Sequence, residues 1–295
     1  MGVRQLARAK VNLSLKVLGR RHDGYHELES LVTFAAIADR LEVAPGEPGR
    51  VRVSGPFADA IRGPNILERA LDVLRQQGID LSGQAIGLEK NLPVAAGLGG
   101  GSADAAALLR MARALHPERA EDPLWHDLAR RLGADVPVCF ADRPALMRGS
   151  GDELYRLSPG SPGPDLLPAV LANPRVALAT ERVFAALNAP AFDGARRLGV
   201  PQAPLRSRED LFDHMRAVGN DLERPAQALE PVIATVKAAL LARQGCRVAA
   251  MSGSGPTCFG IFSREDQAAA AAADLRRHWP HWWVVATELD DVAAP

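Results

Sequence analysis

Cysteine is scarce in this chain: Cys139, Cys246 and Cys258 are the only three in 295 residues, far apart and odd in number. That excludes a disulfide framework and a cysteine-based zinc site, and it points to a reducing, cytoplasmic setting. Net charge is lacking too, since 35 Lys and Arg balance 35 Asp and Glu. Without an electrostatic surplus, nothing calls for nucleic acid or an anionic membrane as a partner. No apolar run is long enough to span a bilayer. The N-terminal stretch MGVRQLARAKVNLSLKVLG is basic, but Lys10 and Lys16 interrupt any signal-peptide core. Leu6 stands where a myristoylation signal needs Ser or Thr. There is no internal repeat. The expectation is an untargeted cytoplasmic protein whose 47% apolar residues suffice for a core.

What the chain does have is periodicity of both kinds. In AKVNLSLKVLG, Val11, Leu13, Leu15 and Val17 alternate with Asn12, Ser14 and Lys16, which predicts a strand with one polar face. LESLVTFAAI, RLEVAP, RVRVSG and GQAIGLEKNL read as further strands. A helix is expected at NILERALDVLRQQG, with Ile66, Leu67, Ala70, Leu71 and Leu74 as its stripe and Gly78 as its stop. PLWHDLARRLG predicts another helix, closed by Gly133. Residues 157–168 hold four prolines and two glycines without periodicity and read as a linker, and a second loop-rich patch spans about 189–208. Beyond it, residues 222–245 read as one helix, CRVAAMSGSGPTCFGIF as strand, turn and strand, REDQAAAAAADLRRHW as a helix and WWVVATEL as a last strand. The expected domains are 1–156 and 157–295, each mixing sheet and helix.

The densest signal is LPVAAGLGGGSADAAALLRMARAL, where Gly97, Gly99, Gly100 and Gly101 fall within five residues of an alanine-rich helix. Glycine loses more backbone entropy on ordering than any other residue, so a cluster needs special dihedrals or a close neighbour. Ser102 is expected as N-cap, Asp104 in the first turn, and Leu108, Leu109, Ala112 and Leu115 on the buried face. Glycines feeding a helix N-terminus expose amides and the positive end of the dipole, which favours an anion. A P-loop would need Lys and then Ser or Thr after the last glycine, and a dinucleotide fingerprint from Gly97 would need Gly or Ala at position 102. Neither is present. A tight connection would need only one or two glycines, so polyphosphate binding is the better reading.

The segment PVAAGLGGGSADAA resembles the phosphate-binding motif of the GHMP kinases. ARAKVNLSLKVLGRRHDGYHELESL, LGADVPVCF, VGNDLE and AAMSGSGPTCFGIF are similar, in order and spacing, to motifs of one branch of that family, the 4-diphosphocytidyl-2-C-methyl-D-erythritol kinases. The resemblance covers nearly the whole chain. It implies an α+β, two-domain GHMP kinase fold, with an N-terminal ribosomal-protein-S5-like domain containing a left-handed βαβ feature and a C-terminal ferredoxin-like domain. It also implies transfer of the γ-phosphoryl of ATP, with Mg²⁺, to the 2-hydroxyl of a cytidyl alcohol on the non-mevalonate route to isoprenoid precursors.

By the same resemblance Pro93, Val94, Ala95, Ala96, Gly97, Leu98, Gly99, Gly100, Gly101, Ser102 and Ala103 hold the nucleotide. Ala103 replaces a second Ser of the family, which puts the metal or phosphate role on Ser102. Asp135 would be the general base, although a turn or cap Asp is its ordinary reading. Lys10, otherwise a solvated edge lysine, would lie beside that base and hold it ionised. Asn12 would contact substrate; Tyr25 and His26 would recognise cytosine by stacking and hydrogen bonds, with Phe184 on the base's other face. Phe184 reads almost as readily as a core residue. Gly253 and Ser254 belong to a turn placed near substrate and phosphates. Other GHMP substrates (homoserine, mevalonate, a sugar) and a non-catalytic nucleotide sensor are the rivals. A small-molecule substrate is the partner expected, with a monomer or weak homodimer as the assembly.

Overall fold

The computed structural model describes residues 3–46, 51–81, 83–157, 166–194 and 205–292. The linker expected at 157–168 falls mostly at 158–165, and much of the patch expected at 189–208 at 195–204; both lie outside the described residues. The chain forms two compact units: Met1–Ala9, Ile37–Val94 and Gly99–Asp142 make the first, and Lys10–Ala36, Ala95–Leu98 and Arg143–Pro295 the second. Strands β1 (Val3–Arg20) and β2 (His26–Pro45) supply residues to both.

In the first unit, β3 (Val51–Ser54), α1 (Ile66–Arg75) and β4 (Gln84–Glu89) form a βαβ unit, with β3 parallel to β4. Parallel neighbours need such a crossover. Strand β4 also runs antiparallel to the end of β2, with Arg40 opposite Glu89. Helices α2 (Gly100–Leu115), α3 (Leu124–Leu132) and α4 (Val136–Ala141) complete the unit. Asn65 caps α1 by accepting from the Leu67 amide at 3.0 Å. The buried stripe of α1 is Leu67, Ala70, Val73 and Leu74, so Val73 replaces the expected Ile66 and Leu71, which are half-buried. Helix α2 packs on α1, α3 and α4 and is buried continuously from Ala103 to Leu109. Its alanines leave room for three neighbours at once. Leu115, expected inside, is exposed at the helix end.

Two strands expected on either side of Ala38–Asp39 are one strand, β2. An Asp reads as a turn residue because its side chain usually captures nearby amides. Here Asp39 is wholly buried and captures distant ones, the amides of Asn91 and Leu92.

The second unit contains β5 (Ala145–Gly149), β6 (Glu153–Arg156), β7 (Leu166–Asn173), α5 (Thr180–Leu187), α6 (Arg208–Val218), α7 (Glu223–Leu229), α8 (Val232–Leu241), β8 (Cys246–Met251), β9 (Cys258–Phe262), α9 (Glu265–His278) and β10 (Trp283–Asp290). Its antiparallel sheet has the order β10-β7-β9-β8, with β9 between β7 and β8. That is the split βαβ order of a ferredoxin-like domain. The start of β2 pairs with β5 and, at Ala35, with Leu289 of β10. Val170, Val236, Leu240, Phe262, Ala272 and Leu275 belong to the core that joins sheet to helices. The single helix expected over 222–245 is two, because Pro231 has no amide to continue α7 and opens α8 instead.

Candidate functional site

The second unit carries the turn Ser252–Thr257 and the glycine-loop residues Ala95–Leu98. Three successive loop carbonyls are taken by protein donors. The Thr257 amide donates to Ala96 O at 3.3 Å, the Ser252 hydroxyl to Gly97 O at 2.8 Å, and the Lys10 amide to Leu98 O at 2.9 Å. Gly97 has φ +72°, and a Cβ there would meet Ser252 O, with Gly255 N at 2.8 Å and Gly255 O at 2.9 Å. Only glycine fits. Asn220 holds the turn from its other side, donating to Met251 O at 2.9 Å and Gly253 O at 2.8 Å. Asp221 accepts from Lys16 Nζ at 2.8 Å and the Val17 amide at 2.9 Å. The VGNDLE motif therefore ties this turn to the end of β1. Ser252 and Asn220 escape sequence reasoning because each acts on backbone more than 30 residues away.

The polar face of β1 is buried at Lys10, Asn12 and Ser14. Lys10 is 3% exposed and Asn12 1%, so neither the edge-lysine reading nor that of a polar surface residue survives. The Asn12 amide donates to Ser252 Oγ at 3.1 Å, and its Nδ2 to Ser30 Oγ at 2.7 Å. Asn12 Oδ1 is buried without a hydrogen-bond partner. A Cβ on Gly253 would lie 3.2 Å from it, so a side chain at that position would crowd this oxygen. Ser14 Oγ lies 3.0 Å from His214 Nε2. Burial lowers the pKa of His214, which keeps the ring neutral.

Tyr25, 61% exposed, stands on a turn braced by Arg21, which donates to Asp23 at 3.1 Å and Glu27 at 2.9 Å. His26 and Phe184 stack on each other, centroids 4.6 Å apart. Phe184 also packs against the core of the unit, in line with its reading as a core residue. Burial, and then the charge of Arg20, lower the His26 pKa. Ser254 shares a 2.8 Å hydrogen bond with Thr180 at the start of α5.

The first unit carries Pro93, Val94, Gly99–Ala103 and Asp135. Gly99, at φ +61°, is the N-cap of α2, and no side chain caps that end. Ser102, expected as cap, is the third helical residue; a left-handed cap suits glycine better than serine. The Ala103 amide closes the first helical bond, to Gly99 O at 2.8 Å. Gly100, Gly101 and Ser102 are thus the residues whose amides have no intrahelical acceptor. Ala103 offers neither a free amide nor an exposed side chain. A Cβ on Gly101 would meet only Ile66 Cγ2, at 3.9 Å, so packing does not require that glycine. Asp104 is buried rather than dipole-facing and contacts Lys90 at 2.7 Å. Asp135 lies in the turn before α4, at its N-cap position, and its side chain makes no capping bond.

Residues 65–146 match the pattern of the GHMP kinases N terminal domain, and residues 202–281 that of the GHMP kinases C terminal region. A 4-diphosphocytidyl-2-C-methyl-D-erythritol kinase from Bradyrhizobium diazoefficiens is 45% identical over 290 residues, covering 96% of each chain. The chain belongs to this branch of the GHMP kinases. A kinase of the same name from Paramagnetospirillum magneticum is 46% identical, covering 96% of this chain and 97% of its own. The crystal structure of a 4-(cytidine 5'-diphospho)-2C-methyl-D-erythritol kinase matches with TM-score 0.75 and 35% identity, covering 98% of this chain and all of the other. A homoserine kinase from Cytophaga hutchinsonii, at 17% identity and TM-score 0.63, shares the GHMP fold. Among the described residues no helix is long and apolar enough to cross a membrane, and no three His, Cys, Asp or Glu side chains cluster as metal ligands.

Proposed function

We propose that this GHMP kinase transfers the γ-phosphoryl of ATP to the 2-hydroxyl of 4-diphosphocytidyl-2-C-methyl-D-erythritol. The observation that carries the phosphate site is the sidedness of the glycine segment. Its carbonyls from Ala96 to Leu98 are bonded within the protein, and the amides of Gly100 to Ser102 have no acceptor in their helix. Such backbone presents donors and withholds acceptors, which suits a polyphosphate. Pro93–Ala103 form the loop in this reading, with Ser102 as the one side-chain hydroxyl at the helix start. Mg²⁺ fits a site with so few protein donors, because it usually keeps water and substrate phosphates as its main ligands. Ser102 would be its protein ligand, and the ion would offset the charge of the phosphates.

Asp135 serves as general base for the attacking hydroxyl, and Lys10 supplies a buried cation that favours ionised oxygen. Asn12 Oδ1, the buried acceptor left over beside Gly253, takes a hydrogen bond from a substrate hydroxyl. Tyr25 offers an exposed ring for stacking on cytosine. His26, kept neutral and backed by Phe184, has one donor and one acceptor nitrogen for polar recognition. Gly253 and Ser254 complete the substrate contacts.

Coupled assay of ATP turnover with the cytidyl alcohol, homoserine, mevalonate and galactose tests the reading. Turnover is expected with the cytidyl alcohol alone, and phosphorylation of another alcohol in its place would reassign the branch. Asp135→Ala is expected to lower kcat by about 10²–10⁴ with ATP still bound. An unchanged kcat would remove Asp135 from the chemistry.

A further inference from the structure

The first unit buries a lysine and two aspartates that the proposed chemistry leaves unused. Lys90 Nζ lies 2.5 Å from Asp39 Oδ2 and 2.7 Å from Asp104 Oδ2, with all three side chains at most 4% exposed. Asp39 Oδ1 accepts from the amides of Asn91 at 2.5 Å and Leu92 at 2.8 Å. The cluster thereby joins three places: β2 through Asp39, the chain entering the glycine segment through Asn91 and Leu92, and α2 through Asp104. Lys90 also underlies the helix start, since a Cβ on Gly100 would come within 3.2 Å of its Nζ.

Stability alone explains such a cluster poorly. Well-packed apolar residues of similar volume commonly match or exceed a buried ion pair. Ionic hydrogen bonds, in contrast, are directional and fix distances between the groups that they join. Glycines cannot do this for themselves, having no side chains to anchor the loop. We infer that Lys90, Asp39 and Asp104 are positioning residues for nucleotide binding, an ionic clamp that sets the spacing between the entry to the glycine segment and the amides of Gly100, Gly101 and Ser102. The inference rests on α2's N-terminus being the phosphate site. Burial, opposed by Lys90, pushes the Asp104 carboxyl up to about 7. The cluster can thus approach neutrality instead of burying a net negative charge under an anion.

The test compares Asp104→Leu, which removes the bond to Lys90, with Asp104→Asn, which keeps an oxygen for it. KM for ATP, KM for the cytidyl alcohol and kcat are measured separately, with urea midpoints as a check on folding. Asp104→Leu should raise the KM for ATP roughly tenfold or more while the alcohol KM stays within about twofold, and Asp104→Asn should recover most of the loss. Should Asp104→Leu not fold, Asp39→Leu, which frees the amides of Asn91 and Leu92, is compared with Asp39→Asn in the same way. A folded leucine variant with unchanged KM for ATP, or with both KM values raised equally, overturns the clamp. Absence of ATP turnover in the unaltered enzyme would overturn the functional reading itself, and the clamp with it.

Discussion

Gly101→Ala separates what the fold needs from what a ligand needs. The added methyl would meet only Ile66 Cγ2 at an ordinary 3.9 Å, and Gly101 lies inside the helix rather than at its left-handed cap. Replacing a helical glycine by alanine removes backbone freedom from the unfolded chain and is worth about 0.5–1 kcal/mol. The nucleotide-free protein should therefore become more stable by about that amount, with a Tm higher by roughly 1–4 °C. Nucleotide binding should move the other way. A methyl forced against a phosphate held by the Gly101 amide costs about 1–3 kcal/mol as overpacking. That corresponds to roughly a 5- to 150-fold rise in KM for ATP. Urea unfolding without nucleotide and steady-state kinetics at saturating alcohol read the two effects independently. If the variant is both more stable and unimpaired toward ATP, the phosphates do not approach Gly101 and the sidedness argument is wrong. If it is less stable, the space around that position has been misjudged.

Gly97→Ala should behave in the opposite manner, losing roughly 2–5 kcal/mol of stability from overpacking against Ser252 and Gly255 and from its left-handed φ; a loss below about 1 kcal/mol in urea unfolding would contradict the close approach. Tyr25→Ala should raise KM for the cytidyl alcohol by about 1–3 kcal/mol of lost stacking while sparing ATP; isothermal titration of each ligand checks this, and equal losses would misplace the ring. His214 has a folded pKa below its ordinary 6.5, because burial disfavours its charged form. The unfolded chain therefore binds the extra proton first, and this contribution to stability is complete above pH 6.5 and declines as the pH falls through the folded pKa. His214→Gln should flatten that part of the stability profile between pH 7.5 and 5, and identical slopes in the two proteins would count against it.

The secondary structure was legible where side chains alternate or recur at helical spacing, as in β1, α1 and α9. It was misread where a residue's usual local role gave way to a distant partner. Asp39 reads as a break between strands but reaches across to Asn91 and Leu92. Ser102 reads as a cap, but the left-handed turn belongs to Gly99. Asp104 reads as a charge for the helix dipole but is buried against Lys90. The polar face of β1 looks solvent-facing because alternation reports chemistry and not burial.

The sequence by itself carried the resemblance to the family in its ordered motifs and marked the two glycine-rich segments, because backbone permissiveness is written directly in residue type. It could not separate one glycine from another: Gly97 and Gly101 differ only in what folding brings against them. Nor could it reveal that Lys90 has two carboxylate partners or that Asn12 keeps one oxygen unpaired. Those properties depend on contacts between segments far apart in the chain, and no local pattern of residues encodes a distance across the fold.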